Sequence, residues 1–232
     1  MKTARRIAVV VGAVASIVAA VVVIACVLLG PRTGLLCSAL ALVVVVVSYQ
    51  RLIAPWHARW GATPEEVARR LDGDDLVEHA TATTRAVSIA APPAAVWPWL
   101  VQIGFGRAGW YSYDWLDNDG AASSTEVIGE LQDLAPGDRI PMTPDLGFVV
   151  QSLAAPTSIV SLSDDGSTSW ALDLVSQGGG CRLISRFRTP PPKGVAGLVW
   201  AAIAGPGAFI MERRMLRGIR ARAESCVAIS RS

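Results

Sequence analysis

The chain opens with two long apolar runs, and only then does its pattern begin to alternate. Residues 7–29, IAVVVGAVASIVAAVVVIACVLL, carry no charge. As a helix rising about 1.5 Å per residue, this run spans roughly 34 Å, enough to cross a hydrocarbon core. Gly30, Pro31 and Gly34 mark a turn, and residues 35–54, LLCSALALVVVVVSYQRLIA, form a second apolar run with Arg51 near its end. The valines would suit a strand locally, but strands rarely exceed about ten residues, so runs of this length are expected to be membrane helices. A cleaved signal peptide is the competing reading, because Lys2, Arg5 and Arg6 make a basic leader. The apolar stretch is too long for such a peptide, and a second one follows at once. A transmembrane helical hairpin is therefore expected over residues 1–54.

Residues 55–79 read as a linker with one short helix. Thr63 is placed to cap it, with Pro64 at its first position and Glu65 and Glu66 in its first turn. From about 80 to 228 there is chain enough for one domain that buries roughly two-thirds of its unfolded surface. Residues 83–91 alternate as a strand. Pro92 and Pro93 open a helix through about Ile103, with Val96, Leu100 and Ile103 along one stripe and a kink expected at Pro98. Short alternating runs follow at 137–142, 146–153, 157–163, 168–175 and 181–188. Asp164-Asp165-Gly166 and Gly178-Gly179-Gly180 punctuate the last three as hairpins. Trp170, Leu172 and Leu174 share one strand face, as do Leu183, Ser185 and Phe187. Arg182, Arg186 and Arg188 lie on an opposite face expected to be wet. After TPPPKG at 189–194, residues 195–228 read as a helix interrupted near Gly205-Pro206-Gly207.

The predicted fold class is α+β. A curved antiparallel sheet wraps a long C-terminal helix, the helix-grip arrangement, preceded by a two-helix transmembrane hairpin. A sheet of this kind leaves an apolar cavity against its helix, a place for a lipophilic ligand.

Composition sharpens the picture in three respects. Only 17% of residues are charged, below the roughly 25% usual for soluble domains, and the deficit sits in the first 54 residues. Basic residues flank both spans on one side: Lys2, Arg5 and Arg6 before the first, Arg51, Arg59, Arg69 and Arg70 after the second, against Arg32 alone between them. The positive-inside rule then places a multi-pass protein in the cell membrane with its domain in the cytoplasm. A formal charge of +2 gives no reason to expect nucleic acid, and the four cysteines show neither metal-ligand spacing nor a disulfide framework.

Three segments carry a resemblance: APPAAVWPWLVQIGFGRAGWYSYDWLDN at 91–118, ELQDLAPGDRIPM at 130–142 and FIMERRMLRGIRARAE at 209–224. Residues 82–226 resemble the SRPBCC group, the START-like and Bet v 1-like superfamily that includes polyketide cyclases and lipid-transfer domains. They are similar to actinobacterial, membrane-associated SRPBCC proteins. The resemblance implies a hydrophobic ligand in the cavity and leaves its identity open.

The motifs admit several readings. GFGRAG at 104–109 matches a dinucleotide fingerprint letter by letter. It lacks the strand before it and the βαβ unit around it, so it reads as a turn. GWYSYD at 109–114 reads first as a packed lid at the pocket entrance, then as a ligand contact, and last as a catalytic pair. In that last reading Tyr113 donates a proton and Asp114 acts as base or orienting carboxylate. The only histidines, His57 and His79, lie outside the expected core, which weakens an acid–base mechanism. Arg213, Arg217 and Arg220 form a basic helical stripe. It reads as a solvated face or as a contact for anionic lipid worth about 1 kcal/mol per residue. The expected ligand-binding residues are Trp97, Trp110, Tyr113, Asp114, Phe148, Trp170 and Phe209, with no metal and no cofactor. The function expected is membrane-tethered binding of a hydrophobic small molecule or lipid. The alternative is a polyketide cyclase or dehydratase-like enzyme using Tyr113 and Asp114.

Overall fold

The computed structural model describes residues 2–229. Helices α1 (Lys2–Leu29) and α2 (Pro31–Ser48) pack against each other, joined through the single residue Gly30 at φ +83°. They come close at Gly34, where an added Cβ would lie 2.5 Å from the Cys26 Cα; only hydrogen fits between these backbones. A π-helical turn, Tyr49–Ile53, continues α2 into the short α3 (Ala54–Ala58). Among the described residues, one helical run, Pro31–Ala58, is long and apolar enough to cross a membrane, and Ala15–Leu29 is a shorter apolar stretch. The second run therefore begins at Pro31 rather than at 35, because Pro31 sits in the first turn, where a missing N–H costs nothing.

The short helix α4 (Pro64–Ala68) begins as the sequence predicts. The Glu66 N–H donates to Thr63 Oγ1 at 3.2 Å and the Thr63 N–H donates to Glu66 Oε2 at 2.8 Å, a reciprocal cap. Six strands then build one antiparallel sheet: β1 (Thr81–Ile89), β2 (Arg139–Pro141), β3 (Gly147–Ala154), β4 (Ser158–Ser163), β5 (Ser169–Gln177) and β6 (Gly180–Thr189). Their spatial order is β1-β6-β5-β4-β3-β2, so a meander closes on the first strand of the domain. Between β1 and β2 lie α5 (Pro93–Val101), α6 (Asp114–Asp117) and a single 3-10 turn at Gly129–Leu131. The final element is α7 (Gly194–Ile229).

The sheet's inner face carries Val87, Ile89, Ile159, Leu172, Leu174 and Leu183. They pack on Val96, Trp99 and Leu100 of α5 and on Met215, Leu216, Ile219 and Ala223 of α7. Burying each such side chain stabilises the fold by about 1.5–3 kcal/mol, which is what fixes α7 against the sheet. This is the helix-grip arrangement, read from strand order and from α7.

Two local expectations are corrected. The outer face of the sheet is not wet, because the segment read as a linker lies across it. Leu71 packs on Ala86 and Ile184, and Arg186 is almost fully buried. Helix α7 runs without interruption through Pro206. Proline removes one N–H, but its fixed φ is a helical value, so a helix held at both ends passes through. Within 110–117 only Asp114–Asp117 is helical, because Tyr111 sits at φ +55° and breaks any longer helix.

Candidate functional site

The interior between sheet and α7 is built from aromatic rings. Trp110 meets Trp170 with ring centroids 5.9 Å apart, and Phe148 meets Trp170 at 5.6 Å. Phe187 stacks on Trp170 at 5.3 Å with planes 5° apart. Trp170 and Phe187 are cross-strand partners on β5 and β6, and Phe148 comes from β3, so strand alternation alone aims three of the rings inward. Trp110 arrives from the loop after α5.

Polar groups border this cluster. The Trp170 indole N–H donates to Ser185 Oγ at 3.0 Å. Glu212, on α7, is buried and forms an ion pair with the buried Arg85 of β1. Arg85 Nε also donates to the His57 carbonyl at 2.8 Å. Burial pushes the Glu212 carboxyl above the ordinary carboxylate range, against the opposing pull of Arg85 and Ser185. One carboxylate oxygen of Glu212 and the indole N–H of Trp110 are buried with no hydrogen-bond partner. An unpaired buried donor or acceptor costs about 1–3 kcal/mol.

The GWYSYD segment forms a locked corner beside this interior. Gly109 at φ +83° lies against Ser123, and no side chain would fit between them. The Tyr111 N–H donates to Ser123 Oγ at 3.0 Å, while Asp114 accepts from the Ser123 N–H at 3.0 Å and from its hydroxyl. The Tyr111 ring is buried edge-on to Trp99, and its hydroxyl reaches the Trp99 carbonyl at 3.2 Å and the Gln102 amide at 2.9 Å. Burial pushes the Tyr111 phenol up to about 12. Gln102 itself is fully buried, and each end of its amide is engaged: the amide NH2 donates to the Glu126 carbonyl, and its oxygen accepts from the Ile128 N–H at 2.9 Å.

The structure brings Trp110, Phe148 and Trp170 together and places the other expected residues elsewhere. Phe209 is buried one turn before Glu212, stacked on His57 at 4.0 Å and flanked by Trp56 and Trp60. Trp97 is half-buried at the margin of the core. Tyr113 is exposed, and Asp114 lines a cleft on the outer side of the corner. Two surface clefts are found among the described residues, one beside Asp114 and one beside Arg186, and neither lies between sheet and α7. Sequence reasoning missed Arg85, Ser185, Phe187 and Glu212 as a group. The signal was present: Arg85 keeps alternation with Val87 and Ile89, and Glu212 lies on the stripe of Leu216, Ile219 and Ala223.

No family model matches the chain, and no curated protein matches it. Solved structures do. CalU16 from Micromonospora echinospora is 20% identical with a TM-score of 0.34, covering 66% of this chain and 90% of its own. A polyketide-cyclase-like protein from Corynebacterium glutamicum is 14% identical with a TM-score of 0.33, covering 62% and 91%. An AHSA1-like protein from Aeromonas hydrophila is 20% identical with a TM-score of 0.36, covering 61% and 93%. The site described above stands on this chain's own residues.

Proposed function

We propose that the protein is a membrane-tethered helix-grip module that binds a hydrophobic small molecule or lipid bearing a polar end. The ligand lies between the sheet and α7, against Trp110, Phe148, Trp170 and Phe187. The observation that carries this reading is the pair of unpartnered polar atoms on that interior, a donor on Trp110 and an acceptor on Glu212. A hydroxyl or amide on an otherwise apolar ligand satisfies one or both, and the rings supply the remaining contact area.

In this reading α1 and α2 both cross the bilayer, over about 7–29 and 35–54, and the basic flanks hold their ends and the domain on the cytoplasmic side. Two features support a position of the interior near the lipid. The juxtamembrane helix α3 stacks His57 on Phe209, one turn from Glu212. The first half of α7, residues 195–211, carries no charge and exposes Val195, Leu198 and Ile210. Tyr113 and Asp114 face away from the rings, so the reading is one of binding, with no reaction assigned.

The test is to purify the full chain from its membrane in mild detergent, extract it with organic solvent and identify the small molecules by mass spectrometry. Wild type is expected to carry a stoichiometric lipophilic species with a hydroxyl, amide or carbonyl group. The Trp110→Phe variant, which keeps a ring and removes the unpaired N–H, is expected to lose most of it without losing stability. Equal recovery of bulk lipid from both proteins would sink the proposal.

A further inference from the structure

A second site lies outside the aromatic interior. The cleft beside Asp114 has a volume of about 200 Å³ and is walled by Tyr111, Ser112, Asp114 and Ser123 on one side and by α7 on the other. Its α7 wall presents Arg214, Arg217 and Arg222. No ion pair is found for any of these three arginines among the described residues, whereas Arg220, pointing elsewhere, is paired with Glu224 at 3.0 Å. The one carboxylate in the cleft, Asp114, is already held by two donors of Ser123. Arg222 is fixed in place: its Nε donates to the Ser124 carbonyl at 2.7 Å, and its guanidinium lies 4.4 Å over the Tyr111 ring. Arg214 and Arg222, with Arg217 alongside and its guanidinium 5.4 Å over the Trp60 ring, line a concave wall whose one acid is engaged, and such a wall is a site for an anion.

The cleft also has a position relative to the apolar spans. Its rim continues into α6, and there the Arg6 guanidinium donates to the Trp115 carbonyl. Arg6 immediately precedes the apolar run that starts at Ile7, and Trp115, exposed beside it, is a residue type that favours the headgroup layer. We infer that the cleft of Arg214, Arg217 and Arg222 binds the phosphodiester headgroup of an anionic phospholipid in the leaflet that α1 enters. This rests on the membrane tether of the proposed function but not on the aromatic interior.

The experiment is native mass spectrometry of the detergent-solubilised full chain, titrated separately with phosphatidylglycerol, phosphatidylcholine and free glycerol 3-phosphate. Phosphatidylglycerol is expected to bind one-to-one and at least about tenfold more tightly than phosphatidylcholine. The double variant Arg214→Gln/Arg217→Gln is expected to weaken it by about thirtyfold, on the scale of one basic contact per residue. Arg220→Gln, outside the cleft, serves as the control for net charge and is expected to leave binding within about twofold. Equal binding of the two lipids, or equal loss in the control, overturns the inference. Glycerol 3-phosphate binding as tightly as the lipid overturns the membrane source, since the cleft then takes a soluble phosphate. The lipophilic species extracted from the interior is measured on the same variants. Its retention when headgroup binding is lost separates failure of this site from failure of the aromatic one.

Discussion

Phe209 of α7 lies face to face with the imidazole of His57, ring centroids 4.0 Å apart and planes 17° from parallel. Trp56 and Trp60 close around the same phenyl ring, and Arg85 and Arg213 lie over it. One side chain thus joins the end of the apolar hairpin to the helix that the sheet grips. Phe209→Ala removes a nearly fully buried ring from this contact. The expected cost is about 3–4 kcal/mol in denaturant unfolding of the detergent-solubilised chain, with emission from Trp56 and Trp60 shifting to the red. An unchanged midpoint and spectrum would mean that α3 is not docked on α7 in solution.

Arg186 is the strap on the other face. Its guanidinium reaches Thr84 Oγ1 at 2.9 Å, the Asp74 carboxylate at 2.8 Å and the carbonyls of Glu66, Val67 and Arg69 at 2.7, 3.1 and 2.7 Å. Arg186→Ala leaves three carbonyls unpaired and takes from Asp74 its nearer cation, with only the Leu71 N–H and the more distant Arg188 at 3.7 Å remaining, an expected loss of about 3–5 kcal/mol. Arg186→Lys is expected to recover little of it, because one ammonium cannot serve this forked set of acceptors. Limited proteolysis is the second readout: cleavage between residues 59 and 79 should accelerate in both variants, and protection equal to wild type would show that Arg186 does not hold the segment.

Strand alternation made most of this fold legible. The faces of β5 and β6 followed directly from period two, and so did the inward aim of Trp170 and Phe187. The capping box at Thr63 and Glu66 was equally visible, since it depends only on residues three apart. The partner of the arginine face was not. Arg182 and Arg186 look solvated in their strand because Glu66 and Asp74, which pair with them, stand more than a hundred positions earlier. The aromatic corner failed for a related reason. Tyr111 takes a positive φ held by Ser123, a contact that local pattern does not encode. Phe209 was placed on the right helix and buried, yet its neighbours come from the segment just after the second apolar run.

Stability should carry a pH signature from Glu212. Its carboxyl is raised by burial, so the folded state holds its proton at pH values where the unfolded chain has released it. The group's stabilising contribution is complete below the unfolded carboxylate value, about 4.3, and is lost as pH rises through the higher folded value. Glu212→Gln removes that dependence and keeps the shape of the side chain. The difference in unfolding free energy between wild type and Glu212→Gln, measured from about pH 4 to about pH 8, is expected to move against the wild type as pH rises. A difference that stays constant across the range would place the Glu212 carboxyl at its unfolded value.

Two glycines of α7 give opposite expectations for the same substitution. At Gly218 an added Cβ would overlap the Tyr111 carbonyl oxygen and lie 2.8 Å from the Tyr111 Cβ, while at Gly207 nothing stands within 4 Å. Replacing glycine by alanine inside a helix gains up to about 1 kcal/mol from backbone entropy. At Gly207 that gain stands alone, so Gly207→Ala is expected to raise the unfolding midpoint. At Gly218 the gain is opposed by overpacking of about 1–3 kcal/mol, and the neighbour is backbone of a corner already held by Ser123 and Gln102, so it cannot yield cheaply. Gly218→Ala is therefore expected to lower the midpoint and to reshape the basic cleft, since Gly218 sets how closely α7 approaches Tyr111. Paired denaturation curves of the two variants check this directly: a gain at both positions would mean that α7 and the Tyr111 corner stand farther apart in solution than they do here.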